Sequence, residues 1–370
     1  MMLKTPFDYA AAAIETVLRS YPAAADLPPK GHFHYHQGVF LSGVYENYRL
    51  CGEERWFSYL KDWVDSALDG QGRRLHYDEL SLDDIQPGIL FFPLYERTKD
   101  EKYRRALELL MEELRTYPRT EEGGFWHQGG LPDQLWLDGL YMGGPICVMY
   151  ARRFGEPEFA QTAIHQALLM EEKTRDSRSG LWYHACDCAK KAPWADPQTG
   201  LSPEFWGRSI GWVPVAVLDE LDYLPADEPK RGELERLIRE LLEALIPFQG
   251  GDGRWYQVVN KPGEAGNWPE NSCTCLYTAA ICKAVRTGVL DSRYLENARR
   301  AYDGVTASLK WRENGDAQDL LLGEVCVGTG VGDYRHYCQR PVCVNDLHGM
   351  GAFLLMCAEL ERCGGRQRVL

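Results

Sequence analysis

Asp138 lies in the stretch LWLDGLYM, with Trp136, Leu137, Leu140, Tyr141 and Met142 around it. A carboxylate in apolar company is costly unless it is paired or protonated. Burial pushes such a carboxyl group's pKa up, so Asp138 is expected to hold a proton near neutral pH and to act as a general acid. Asp83 and Asp84 stand side by side in LDDIQPGIL, at the start of a helix where an aspartate is a common cap. One of the two is expected to cap. The other, Asp83, is expected to face Asp138 and raise its pKa further by like-charge repulsion.

Arg208, in PEFWGRSIGW, is a cation in an otherwise apolar helix start with Trp206 and Trp212 nearby. A buried guanidinium requires an anion, whether a structural carboxylate or an acidic ligand. His184 in LWYHACD and His127 in GGFWHQGG sit in long loops rich in aromatic residues, including Trp126, Trp182, Trp194, Trp255 and Tyr256. Aromatic planes are surfaces on which sugar rings stack, and Trp136 beside Asp138 joins this set. Tyr35, His36 and Gln37 carry groups suited to sugar hydroxyls. No phosphate loop, dinucleotide fingerprint or metal-binding helix motif appears, so neither a cofactor nor a metal is expected.

The elements that must hold these residues are helices. Apolar residues recur at three- and four-residue spacing through about twelve segments, and no convincing run of alternating β-branched residues appears. The segments are of two kinds in alternation. One kind is amphipathic and charged, as in DEKYRRALELLMEELRTY, where Tyr103, Leu107, Leu110 and Leu114 make a single apolar stripe. The other carries few charges, many small residues and an opening cluster of polar and aromatic groups. Those openings are HYHQGVFLSG, LDDIQPGIL, DQLWLDGLYMGG, PEFWGRSIGW, NWPENSCTCL and NDLHGMGAFLL. Six buried helices alternating with six half-exposed ones fit six helical hairpins closed into a ring. The expected fold is therefore all-α, an (α/α)6 barrel, in a single domain over 1–370. Inner helices of such a ring run parallel, which puts all six clusters at one mouth, where helix N-termini favour a bound carboxylate.

The net charge of -13 and the lack of clustered Lys and Arg exclude a nucleic-acid partner. No apolar run spans a bilayer and no leader pattern opens the chain, so a cytoplasmic protein without a membrane partner is expected. The 12 cysteines include C-x-C pairs rather than zinc-ribbon spacing and read as reduced, buried thiols.

With those clusters in order, the chain resembles glycoside hydrolase family 105, the unsaturated rhamnogalacturonyl hydrolases and their relatives. HYHQGVFLSGVYENY, LDDIQPGILFFPLYE, PRTEEGGFWHQGGLPDQLWLDGLYMGGP, WADPQTGLSPEFWGRSIGW and GRWYQVV carry the likeness over nearly the whole chain. The resemblance implies an (α/α)6 barrel with Asp138 as acid and base, Asp83 and His184 beside it, and Arg208 and Trp212 holding substrate or water. It implies as substrate an unsaturated uronyl oligosaccharide, whose C4=C5 bond is hydrated. His348 departs from the pattern, since some relatives carry Lys there. The rival readings are an inverting glycosidase using Asp138 with Asp83 or Glu204, an epimerase or isomerase on the same barrel, and a non-catalytic sugar-binding toroid. The epimerase would use paired histidines on inner helices, which the sequence does not display.

Overall fold

A computed structural model describes residues 5–367 and 369. In chain order its helices are α1 (Pro6–Ser20), α2 (Tyr35–Cys51), α3 (Glu54–Ala67), α4 (Phe91–Thr98), α5 (Glu101–Thr116), α6 (Asp138–Phe154) and α7 (Pro157–Thr174). They continue with α8 (Gly207–Tyr223), α9 (Arg231–Leu245), α10 (Asn271–Arg286), α11 (Leu295–Ser308), the single-turn α12 (Tyr334–Cys338) and α13 (Leu347–Cys363). Side chains with few charges make α2, α6, α8, α10 and α13 the walls of an inner ring, in which α6 packs on α8, α8 on α10, α10 on α13 and α13 back on α2. Between α2 and α6 the wall is the 3-10 segment Gln86–Leu90 running into α4. Charged, one-sided helices such as α3, α5 and α9 lie outside, their apolar stripes turned inward. The product is the six-hairpin toroid expected from the alternation.

Two local features depart from the sequence reading. Asp83 and Asp84 do not cap a helix: they lie within a 3-10 turn, Leu82–Asp84, preceded by Ser81. Pro87 supplies no N–H, and the chain reaches α geometry only at Phe91. Three antiparallel two-stranded ribbons also appear, β1 (Gln134–Trp136) with β2 (Ala185–Asp187), β3 (Lys310–Asn314) with β4 (Ala317–Leu321), and β5 (Val325–Cys326) with β6 (Val342–Cys343). Strands of two to five residues are too short to show a period of two. Of the loop aromatics, Trp182 and Trp255 belong to the core and offer no face to a ligand. All twelve cysteines are free thiols. Among the described residues no helix is long and apolar enough to cross a membrane.

The ring has two mouths. The polar clusters share one, described below. At the other, the C-terminal ends of the inner helices surround a cavity of about 740 Å³. Its charges are largely neutralised in place, Lys283 by Asp219 and Asp222, Arg286 and Arg362 by Glu359.

The ring closes where α2 meets α13 without side chains between the backbones. A Cβ on Gly351 would stand 2.5 Å from the carbonyl carbon and oxygen of Val39 and 2.7 Å from the nitrogen of Phe40. Neither helix can move without opening the ring, so Gly351→Ala should cost about 3 kcal/mol, the upper range for overpacking. Gly232, on α9, has open space around its Cβ position, and Gly232→Ala should be neutral or slightly stabilising. Urea midpoints of the two variants against the parent check both outcomes.

Candidate active site

Asp138 is the first residue of α6 and His184 precedes β2, 46 positions later. The β1–β2 ribbon joins them: Trp136 pairs with Ala185, and the Leu137 N–H donates to the His184 carbonyl at 3.0 Å. His184 Nε2 then stands 3.1 Å from Asp138 Oδ2, and its Nδ1 2.7 Å from the hydroxyl of Tyr337 on α12. The Tyr337 oxygen accepts the Gly332 N–H at 3.2 Å. An ionised carboxylate only accepts, which places a proton on His184 Nε2. A chain of hydrogen bonds thus links Gly332, Tyr337, His184 and Asp138.

This geometry reverses the expected ionisation of Asp138. Burial raises its pKa, but the hydrogen bond and charge of His184, with lesser help from His127 and Arg208, outweigh that effect and hold the carboxyl below its usual range. The proton goes to the neighbour instead. Asp83 is pushed well above the ordinary carboxylate range by burial, then by the charges of Asp138 and Asp84. Its Oδ1 lies 3.8 Å from His127 Nε2 and its Oδ2 4.0 Å from His34 Nε2. Asp84 faces away, accepting from His32 at 3.2 Å and from the Asp78 N–H. Burial still raises it, to about 6.

His127 is buried, with its pKa pulled down to about 4 by burial, and its ring stacks on Trp136 with centroids 4.3 Å apart. Arg208 is 1% exposed and ion-pairs with no carboxylate among the described residues. Its guanidinium donates to the carbonyls of Cys326 at 2.6 Å and Val327 at 2.8 Å and lies over Trp206. It therefore supplies positive potential to the mouth while its hydrogen bonds hold the 325–328 segment. Trp212 stacks on Tyr141 one turn deeper, its indole N–H unpaired. Tyr35 and His36 face the mouth, their rings 4.3 Å apart.

Gln37 does not join them. It is fully buried behind the wall, donating to the carbonyls of Leu27 and Pro29, because neighbours on a helix point about 100° apart. Histidines do cluster here, contrary to the sequence reading. His34 Nδ1 and His36 Nδ1 are 2.9 Å apart and the His36 ring meets His348 edge-on at 5.0 Å. His36, His348 and Asp346 form one of two groups with the ligand types for a metal ion among the described residues, the other being His32, Asp78 and Asp84. The separation of His36 from Asp346 and His348 by some three hundred positions hid the first group, as no fixed spacing links them. Tyr337 was missed for a similar reason, lying in a loop with no periodicity.

An acid, an acceptor histidine and flanking aromatic rings at the mouth of a toroid suit glycosidic chemistry, and similarity to known proteins identifies the group. The model of Glycosyl Hydrolase Family 88 matches residues 10–363. The chain belongs to that family. A solved glycoside hydrolase of family 105 from C. acetobutylicum ATCC 824 is 31% identical, covering 96% of this chain and 99% of its own with a TM-score of 0.90. The unsaturated rhamnogalacturonyl hydrolase YesR of Bacillus subtilis strain 168 is 26% identical over 270 residues, 71% of this chain and 73% of its own. An unsaturated glucuronyl hydrolase from Bacillus sp. GL1 shares the fold at TM-score 0.73, with 16% identity over 98% of this chain and 97% of its own. This family 88 protein is a glycosyl hydrolase of the family 105 type, as the sequence motifs implied.

The raised pKa of Asp83 carries a stability consequence. In the unfolded chain an aspartate ionises near pH 4. The folded protein keeps the Asp83 proton to higher pH, so stability is lost as pH rises from that point through the folded pKa. Asp83→Asn preserves the neutral shape and removes the loss. The Tm of the variant relative to the parent should increase between pH 5 and pH 8; a difference that shrinks would mean that Asp83 is ionised when folded.

Proposed function

We propose that this hydrolase releases a 4,5-unsaturated uronic acid from the non-reducing end of pectin-derived rhamnogalacturonan oligosaccharides by hydrating the C4=C5 double bond. The observation that supports it most strongly is the Asp138–His184 pair, a single ionised carboxylate held by a histidine at the mouth. A uronate entering beside Asp138 brings negative charge and expels water, both of which raise the Asp138 pKa until it takes a proton from solvent. Asp138 donates that proton to C4. Positive charge develops at C5 and the ring oxygen, and the carboxylate so formed takes a proton from the water that attacks C5, with His184 in reach of that water. The C5 hemiketal opens to a keto-sugar and frees the neighbouring sugar. Arg208 attracts the uronate through its field, Asp83 and His127 line the opposite side, and Tyr35, His36, Trp136 and Trp212 form the walls.

The rival inverting mechanism requires one protonated carboxyl as acid and one ionised carboxylate as base, conventionally separated by room for a water. Glu204 is tied to Lys261 through both oxygens, at 2.8 and 2.7 Å; Asp83, its pKa raised, suits the acid role beside an ionised Asp138, so the fate of a saturated substrate separates the two mechanisms. The histidine cluster keeps the epimerase alternative structurally conceivable, but membership of a hydrolase family weighs against it. A single catalytic domain over 1–370 in the cytoplasm completes the reading, supported by the continuous core and the free thiols. Nucleic acid and membranes are not among its proposed partners, and the hydration step itself uses protein side chains alone.

Asp138→Asn retains size and hydrogen bonding but has no transferable proton, and should lower turnover at least about a thousandfold in a folded protein. Loss of the enol-ether ultraviolet absorbance of unsaturated disaccharides measures it. A saturated galacturonosyl disaccharide lacks the electron-rich C4 and should inhibit without being cleaved. Reaction in heavy water should place deuterium at C4 of the released keto-sugar, read by nuclear magnetic resonance; cleavage of the saturated analogue or an undeuterated C4 would refute hydration.

A further inference from the structure

His348 lies on α13 at the ring-closing seam and is completely buried. Its Nε2 is 3.0 Å from the Cys326 carbonyl. A carbonyl can only accept, so Nε2 carries the proton and, in the neutral ring, Nδ1 is a bare lone pair. That nitrogen makes no hydrogen bond. It stands 2.8 Å from Asp346 Oδ1, an acceptor.

The same accounting applies across the seam. His34 Nε2 lies 3.9 Å from Asp84 Oδ1, itself without a hydrogen-bond partner, which favours a proton on that nitrogen. His34 Nδ1 then accepts from His36 Nδ1 at 2.9 Å, and His36 is left with its own lone pair on Nε2. That lone pair faces the same Asp346 oxygen at 3.5 Å. His36 Nε2, His348 Nδ1 and Asp346 Oδ1 all lie within 4.8 Å of one another.

We infer that His36, Asp346 and His348 form a binding site for a borderline divalent transition-metal ion such as zinc, at the seam between α2 and α13. Donor atoms around a tetrahedral zinc at about 2.1 Å stand about 3.4 Å apart, and the observed 2.8 and 3.5 Å bracket that separation. The His348 Nε2–H to carbonyl bond is the outer contact that commonly orients a ligating imidazole. Asp346 is also oriented, because it caps α13 through the His348 N–H. Two neutral imidazoles and one carboxylate leave the ion a net positive charge, which Arg208 nearby opposes, so its affinity is set by geometry rather than by charge. The side chains of His36 and Asp346 are each 19% exposed, so the ion keeps a position open toward the mouth for water or a sugar oxygen. The site shares His36 with the wall of the mouth but supplies no group to the proposed hydration step.

The test is binding, with no reference to activity. Protein dialysed against a chelator and then against buffer is titrated with zinc chloride by calorimetry, and with cobalt(II) by visible absorption. His348→Ala risks the fold, so the variants are His36→Gln and Asp346→Asn, the latter retaining the helix cap, with His32→Gln probing the neighbouring His32, Asp78 and Asp84 group. One equivalent of zinc per chain is expected, weakened at least about tenfold by either ligand variant and unchanged by His32→Gln. Cobalt should give d–d bands of low-symmetry coordination in the parent alone. No saturable binding, binding that survives both ligand substitutions, or loss on His32→Gln would each overturn the assignment.

Discussion

The hydrogen bond between His184 and Asp138 is the contact on which the site depends. Taking a carboxylate out of water is expensive, and a charge-assisted hydrogen bond returns about 1.5–3 kcal/mol of that. Here the balance leaves Asp138 ionised at the head of α6, where the helix dipole also favours negative charge. Every other arrangement follows from holding His184 in place. The β1–β2 ribbon fixes its backbone, Tyr337 fixes its ring, and Gln257 anchors the Tyr337 carbonyl from the opposite side of the loop.

Because Asp138 is charged, its neighbour cannot readily be. Asp83 has no cation within hydrogen-bonding distance and lies among histidines that burial keeps neutral. Two carboxyl groups of one chemical type are thereby set to opposite states by their partners. Such separation is what acid and base roles require of paired groups. It also leaves only one of that pair charged beside the buried cation of Arg208, which eases the approach of an acidic sugar despite the protein's overall charge of -13.

Much of this was legible along the chain. Alternating charged and charge-poor helices announce the toroid, and the small-residue openings announce which ends meet, since both are periodic and local. Asp138 and Asp83 stand out because carboxylates are rare among Leu, Tyr and Met. What the chain could not show is pairing. The Asp138 ionisation depends on a histidine 46 positions away, and on a tyrosine in an aperiodic loop. Gln37 directly follows two mouth residues yet turns outward, a matter of helical phase that only a well-defined helix start decides. The Asp346 and His348 pair joins His36 only because the ring closes, a fact about topology rather than spacing.

That closure has a bearing on how the protein is made. α2 is synthesised before α13, and the face it presents to α13 finds its partner only after some three hundred further residues have been added. Until then the backbone groove at Val39, shaped to receive Gly351, is open to solvent or to another chain. Hairpins of adjacent helices can form as they leave the ribosome, whereas a seam of such long sequence separation must wait. A nascent toroid is therefore a curved stack with two unsealed edges, and a second stack meeting those edges would exchange helices with it. Dilution and chaperones, more than the strength of any one contact, favour closure of the ring upon itself.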